Sequence, residues 1–184
     1  VLNINTRKTN VILGEKDVPV FGHTKIQDKI FDKKFLISTQ SFYQVNPVQT
    51  EILYREALKL AKLTKKDKVI DAYCGIGTIG LIASRQAGSV LGIELNREAV
   101  KDARENAKHN QCKNIEFACA DAGEYMVEMA QAGEKADVVI MDPPRSGSNE
   151  AFLSSVCRLA PNRIVYISCG PQSLARDLDY LTAN

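Results

Sequence analysis

Twelve residues, Val69-Ile70-Asp71-Ala72-Tyr73-Cys74-Gly75-Ile76-Gly77-Thr78-Ile79-Gly80, constrain the fold of this chain more than any other stretch. Val69-Ile70 reads as the end of a buried strand. Gly75 and Gly77 let the backbone turn tightly, and Thr78 to Ala83 can start a helix. A strand-to-helix corner of this kind exposes main-chain N–H groups to a ligand, where open α/β sheets bind nucleotide cofactors. With Gly80 the glycines complete a G-x-G-x-x-G pattern, which alone is a weak signal. Glu94 sharpens it: it closes the next apolar run, Val90-Leu91-Gly92-Ile93, at the spacing expected of a carboxylate that takes ribose hydroxyls. A purely structural turn followed by a surface glutamate would not require all three features in register.

Composition narrows the class. The 184 residues suit one good-sized domain plus an appendage. No apolar run approaches the roughly 20 residues that span a bilayer, and no secretory signal opens the chain, which begins at Val1 and reads as a piece of something longer. Five cysteines, an odd number without metal-ligand spacing, predict reduced thiols in a cytoplasmic protein that holds no metal. Net charge is +2, but residues 1–40 carry seven Lys or Arg against four acids. That basic bias fits a solvated surface or an RNA contact equally well.

Residues 1–46 read as a small β arm or linker from a preceding module, with β-type runs at Asn10–Gly14 and Lys34–Ser38. Residues 47–184 read as the main domain. Asn46 can cap a helix that Pro47 opens, with Ile52, Leu53, Ala57, Leu60 and Ala61 as its apolar stripe. From Lys68 onward strand and helix alternate. Strands are expected at Lys68–Ala72, Val90–Glu94, Ile115–Ala118, Ala136–Met141 and Arg163–Ser168, and helices near 78–87, 97–110, 122–132, 149–159 and 172–182. This spacing predicts an α/β fold with a doubly wound, mainly parallel sheet.

Several residues carry chemistry. Asp121 ends the third strand and can accept adenine amino hydrogens, cap the next helix, or do both. Asp142-Pro143-Pro144-Arg145 holds a carboxylate rigidly at the end of a buried strand. Arg145 reads as either a phosphate clamp or a surface residue. In Ser168-Cys169-Gly170-Pro171 the thiol sits at a strand end and faces a helix start, whose dipole stabilises a thiolate. Cys169 is therefore the candidate nucleophile. Cys74 competes but lies inside the cofactor turn. Cys112, Cys119 and Cys157 read as buried and inert, and His23 and His109 as exposed.

Taken together, Phe42-Tyr43-Gln44-Val45-Asn46, Asp71 to Thr78, Asp142 to Arg145 and Ser168 to Pro171 resemble the RNA uracil-5-methyltransferases of 23S ribosomal RNA and transfer RNA. The resemblance runs from about Phe35 to the end. It implies an S-adenosylmethionine (SAM) cofactor held by Gln44, Tyr73, Glu94 and Asp142, with the glycine turn of Gly75 and Gly77, and with Thr78 and Asp121 as further contacts. It implies Cys169 as the catalytic nucleophile, with Asp142 also serving the base. The expected target is a single-stranded or flipped uridine in RNA, 23S ribosomal RNA first. Two departures stand out. The family's general-base Glu has no match in these residues, and two strands that usually extend such a sheet are missing. The expectation is a C-terminal catalytic fragment whose fifth strand is an open edge, and which binds SAM but turns over poorly. A methyltransferase for amino groups or small molecules, and a non-catalytic SAM- or RNA-binding piece, are the rivals.

Overall fold

The computed structural model describes residues 1–8, 12–14 and 16–183. Two short antiparallel pairs come first, β1 (Leu2–Ile4) with β2 (Lys16–Val18) and β3 (Ile26–Ile30) with β4 (Lys33–Ile37). The expected strand at Asn10–Gly14 does not form in its described part: Asn10 and Val11 lie outside the described residues, and Ile12, Leu13 and Gly14 belong to no strand. The reason is local. The Asn3 side chain accepts the Gly14 N–H (2.7 Å) and donates to the Gly14 carbonyl (2.9 Å), which occupies the groups a ladder would use.

The hairpin β3–β4 buries Ile30, Phe35 and Ile37 in the same core as Tyr54, Ile76 and Val100, and is also stitched there by polar side chains. They stand on one face of α3 (Arg97–His109) and on the residue that caps it, Asn110. Asn106, fully buried, accepts the Leu36 N–H (2.7 Å) and donates to the Leu36 carbonyl (3.2 Å). Asn110 does the same for Lys34. Asp102 accepts from Lys25 and Ser41, both at 2.7 Å, and Lys25 also pairs with Glu105. Burial would raise the Asp102 carboxyl, but its donors Lys25, Ser38 and Ser41 hold it below its ordinary range. Positions 102, 106 and 110 recur every four residues, so one helical face supplies a side-chain edge for β4.

α1 (Pro47–Ala61) starts as expected, with Asn46 accepting the Gln49 N–H and Pro47 in the first turn. Its expected stripe is corrected. Ala57 and Ala61 are buried, but so are Thr50, Tyr54 and Leu58, while Ile52, Leu53 and Leu60 are 50, 42 and 63% exposed. Both faces of α1 carry apolar residues, so periodicity alone could not say which face turns inward.

The central sheet is fully parallel, in the order β7-β6-β5-β8-β9, from β5 (Lys68–Ala72), β6 (Ser89–Glu94), β7 (Ile115–Cys119), β8 (Val138–Met141) and β9 (Arg163–Tyr166). Side chains alternate between two cores, as the twofold period of a strand requires. Val138 and Ile140 join the core under α1, α2 (Thr78–Ala83) and α3. Val139 and Met141 join the one under α4 (Ala122–Gln131) and α5 (Glu150–Leu159). β9 lies at the rim, its outer side paired with no strand among the described residues. α6 (Pro171–Ala183) closes the description. No described helix is long and apolar enough to cross a membrane.

The reading of three cysteines as buried is also corrected. Cys119 is exposed, because it ends the edge strand β7, and Cys112 and Cys157 are only half-buried. His23 and His109 are exposed as expected. All five thiols are free, and no described cluster of His, Cys, Asp or Glu has the makings of a metal site.

Candidate active site

Most of the residues singled out for a site stand at or just beyond the C-terminal ends of the parallel strands. After β5 the chain turns through three left-handed residues, Tyr73 (φ 62°), Gly75 (φ 55°) and Gly77 (φ 79°). A side chain on Gly75 would project into open space, whereas a Cβ on Gly77 would come within 2.8 Å of the Phe117 ring. Gly75 is thus open to an approaching ligand, and Gly77 is forced by packing. Thr78 is buried at the start of α2, behind the turn.

Glu94 stands at the end of the neighbouring strand. Its Oε2 accepts the Gly75 N–H at 3.0 Å and its Oε1 accepts the Asn96 N–H at 2.8 Å. The acid singled out for a ribose therefore also braces the glycine turn, and each oxygen keeps a lone pair for a ligand hydroxyl. Asp121 follows β7, where Oδ1 caps α4 by accepting the Glu124 N–H. Sequence reasoning passed over Leu95. It is 67% exposed directly after Glu94, an apolar surface beside that acid. Its signal was an apolar residue straight after a strand-ending acid.

Three carboxylates, Asp71, Asp142 and Glu94, lie within electrostatic reach of one another. Asp71 is buried; Oδ2 accepts the Gly80 N–H at 2.7 Å, while Oδ1 has no hydrogen-bond partner. Burial pushes its carboxyl up to about 7, Gly80 opposes this, and the charges of Asp142 and Glu94 raise it further. Asp142, half-buried ahead of the two prolines, is pushed up to about 6 by burial. The Tyr54 hydroxyl is held above its ordinary range by burial and then by Asp142 and Asp71, and Gln44 is within its hydrogen-bonding reach. The structure thus brings Gln44 and Asp142 together and adds Tyr54 and Asp71, which the sequence did not single out as site residues. An orphaned buried oxygen among three acids suits a cationic ligand.

The packing at Asp71 makes Gly80 indispensable. A Cβ there would lie 2.7 Å from Asp71 Oδ2 and 3.1 Å from Ile115 Cδ1. Gly80→Ala is expected to cost about 2–3 kcal/mol through overpacking, read as a lower urea midpoint at an unchanged slope.

Cys169 is exposed in the loop between β9 and α6. Met141 pairs with Tyr166, and the Ile167 N–H donates to the Met141 carbonyl at 2.9 Å. The loops carrying Asp142 and Cys169 therefore leave the sheet side by side. The Cys74 thiol, by contrast, is buried and raised well above its ordinary value by burial and by the Asp71 and Glu94 charges, so it stays protonated. Arg145 is exposed, and its guanidinium bonds no protein group among the described residues. It lines a cleft of about 560 Å³ with Ser146, Gly170, Gln172, Ser173 and Arg176.

Residues 63–181 match the methyltransferase domain family, and the chain belongs to it. Curated relatives include uncharacterized RNA methyltransferases of Halalkalibacterium halodurans (49% identity) and Caldanaerobacter subterraneus (50% identity). In both cases 98% of this chain aligns with 40% of the relative, so the chain spans about two fifths of their length. The solved tRNA (uracil-54, C5)-methyltransferase of Pyrococcus abyssi, in complex with S-adenosyl-L-homocysteine, superposes with a TM-score of 0.82 at 32% identity, over 97% of this chain and 43% of that one. A SAM-dependent methyltransferase of Agrobacterium tumefaciens shares the fold at 16% identity and a TM-score of 0.71, over 92% of this chain and 60% of that one.

Proposed function

We propose that this chain is the catalytic part of a SAM-dependent RNA methyltransferase that acts on C5 of a uridine through a covalent Cys169 adduct. One observation carries the reading: an exposed thiol on the loop beside Asp142, with the glycine turn on the far side of that aspartate. SAM fits these strand ends. Glu94 offers free lone pairs to the ribose, Leu95 and Asp121 suit the face and amino group of adenine, and the neighbouring carboxylates suit the charged end. Gln44, Tyr73 and Thr78 complete its surroundings. When bound, SAM supplies an electrophilic methyl group.

The protein's part is to make a poor nucleophile into a good one. C5 of uracil does not attack a methyl group unaided. The Cys169 thiolate adds to C6, forming a C–S bond, and the electrons of the C5–C6 double bond move onto the C4 carbonyl oxygen as an enolate. Asp142, ionised, accepts N3–H and holds the ring. After C5 has gained its methyl group, loss of the C5 proton to a base re-forms the double bond and expels the thiolate. Splitting the reaction in this way is covalent catalysis. No residue of this chain is assigned as that base. The target is a loop or flipped nucleotide, since a stacked, paired uridine cannot reach the thiol; 23S ribosomal RNA is the favoured substrate, and Arg145 is suited to a neighbouring phosphate.

5-Fluorouridine RNA tests the mechanism. Fluorine at C5 cannot leave as a proton does, so incubation of the full-length protein with SAM and this RNA should accumulate a stoichiometric complex that survives denaturation. Its cross-linked peptide should contain Cys169. Efficient methylation of normal RNA with no trapped complex would sink the proposal.

A further inference from the structure

α6 has thirteen residues, and its one fully buried side chain is an acid, Asp177. Apolar contacts along this helix are only partial: Leu174 is half-buried and Leu178 is 42% exposed. Asp177 instead makes a directed set of bonds. Oδ2 accepts the Ser148 N–H at 2.8 Å and the Tyr166 O–H at 2.8 Å. Oδ1 accepts Arg176 Nε at 2.8 Å and its terminal nitrogen at 2.6 Å. Burial would raise this carboxyl, but Ser148, Tyr166 and Arg176 hold it below its ordinary range, so it is ionised near neutral pH.

These bonds reach three loops at the C-terminal ends of the strands, those after β5, β8 and β9. Ser148 belongs to the loop that begins at Asp142, and its Oγ lies 3.2 Å from the Tyr73 hydroxyl of the glycine turn. Tyr166 ends β9, three residues before Cys169. Arg176 donates onward to the carbonyls of Ser146 (3.0 Å) and Ser148 (3.1 Å). Ser173, one turn earlier on α6, has the Arg145 and Gly170 carbonyls at 2.9 and 3.0 Å from its hydroxyl, which share its one proton. Gly147 and Gly170 permit this closeness. A Cβ on the first would meet Asp177 Oδ2 at 2.6 Å, and one on the second would meet the Arg145 carbonyl at 2.7 Å.

Apolar packing is tolerant of sliding, whereas a fully bonded buried carboxylate fixes angle and register. We propose that Asp177 is a positioning residue that sets the Cys169 loop against the Asp142 loop, using Ser148, Tyr166 and Arg176 as its three handles. The proposal builds on the reading of Cys169 as the nucleophile, but the wiring itself can be tested without methyl transfer.

The rate at which iodoacetamide alkylates Cys169, followed on its own peptide by mass spectrometry, reports where the thiol is held. Asp177→Asn keeps the shape and an acceptor for Ser148 and Tyr166, but turns an amide N–H toward Arg176. It should slow Cys169 alkylation at least fivefold, because the helix start moves away from the thiol. Tyr166→Phe, which removes one handle without changing a residue of α6, should slow it in the same direction. Asp179→Asn, an exposed acid on the same helix, should leave it within twofold. An unfolding midpoint measured for each variant separates repositioning from loss of fold. Alkylation unchanged in a folded Asp177→Asn overturns the proposal, as does equal slowing by Asp179→Asn. If Asp177→Asn does not fold, a folded Tyr166→Phe with wild-type alkylation overturns it. Methylation that survives Cys169→Ala would instead remove the catalytic reading and leave the alkylation result to stand on its own.

Discussion

Cys169→Ala is expected to reduce RNA methylation by at least about 10³-fold, the scale on which removal of a covalent nucleophile acts, while affinity for SAM stays within about threefold. The two halves of this expectation have separate origins. Cys169 lies on the β9–α6 loop, across Asp142 from the glycine turn, so its loss removes the atom that activates C5 and leaves the cofactor's surroundings untouched. Because the side chain is exposed, the unfolding midpoint should not move. Cys74→Ala is the informative partner. That thiol is buried and kept protonated, so the variant should lose stability by about 1 kcal/mol through the small cavity and still form the trapped RNA complex. Single-turnover methylation with each variant, alongside SAM titration, checks both. If Cys169→Ala methylated RNA at the wild-type rate, the covalent route would be wrong.

The elements of the main domain were legible because burial on both faces of a parallel sheet writes itself into sequence. β5 and the start of α1 fall where the residues place them, and the other strands differ by only a residue or two at their ends. What stayed hidden depended on side chains meeting across long stretches of sequence. Nothing local marks Asn106 as the partner of Leu36, 70 residues earlier, or Asp177 as the partner of Ser148. α1 shows a second kind of failure. Its apolar residues surround the helix, and only the docking of the β3–β4 hairpin and β9 decides that Tyr54 turns inward. Glycine spacing and strand-ending acids announced the cofactor corner, since backbone geometry demands those residue types. Tyr54 and Asp71 went unread as site residues because a tyrosine in a helix and an acid in a strand look ordinary until burial brings their charges together.

Asp71 gives the second large effect, and its sign can be worked out. The folded protein raises this carboxyl to about 7 from an unfolded value near 3.8. Between those values the native state holds more protons than the unfolded chain, so this group makes stability fall as pH rises. Its contribution is fully present below the unfolded value and lost on passing the folded one. A shift of this size corresponds to about 4 kcal/mol as an upper bound. Asp142, raised to about 6, acts in the same direction, whereas Asp102 and Asp177, held below their usual range, lose their contributions only in acid. Asp71→Asn cannot ionise, and its amide oxygen can still accept the Gly80 N–H. Relative to wild type it should therefore gain stability steadily from pH 4.5 to 7.5. Cofactor binding should move the opposite way. SAM carries two cationic centres, and an ionised carboxylate in a partly buried cleft attracts such charge by about 1–3 kcal/mol. Wild-type affinity for SAM should then rise through the same pH range, and Asp71→Asn should bind about ten- to hundredfold more weakly at pH 7.5, with a flatter profile. Urea titrations with and without SAM across this range read both quantities. Parallel stability profiles for the two proteins would mean that Asp71 is ionised throughout, and the charge balance drawn for these carboxylates would have to be reversed. A rise in stability without a fall in SAM affinity would instead place the cationic end of the ligand away from Asp71.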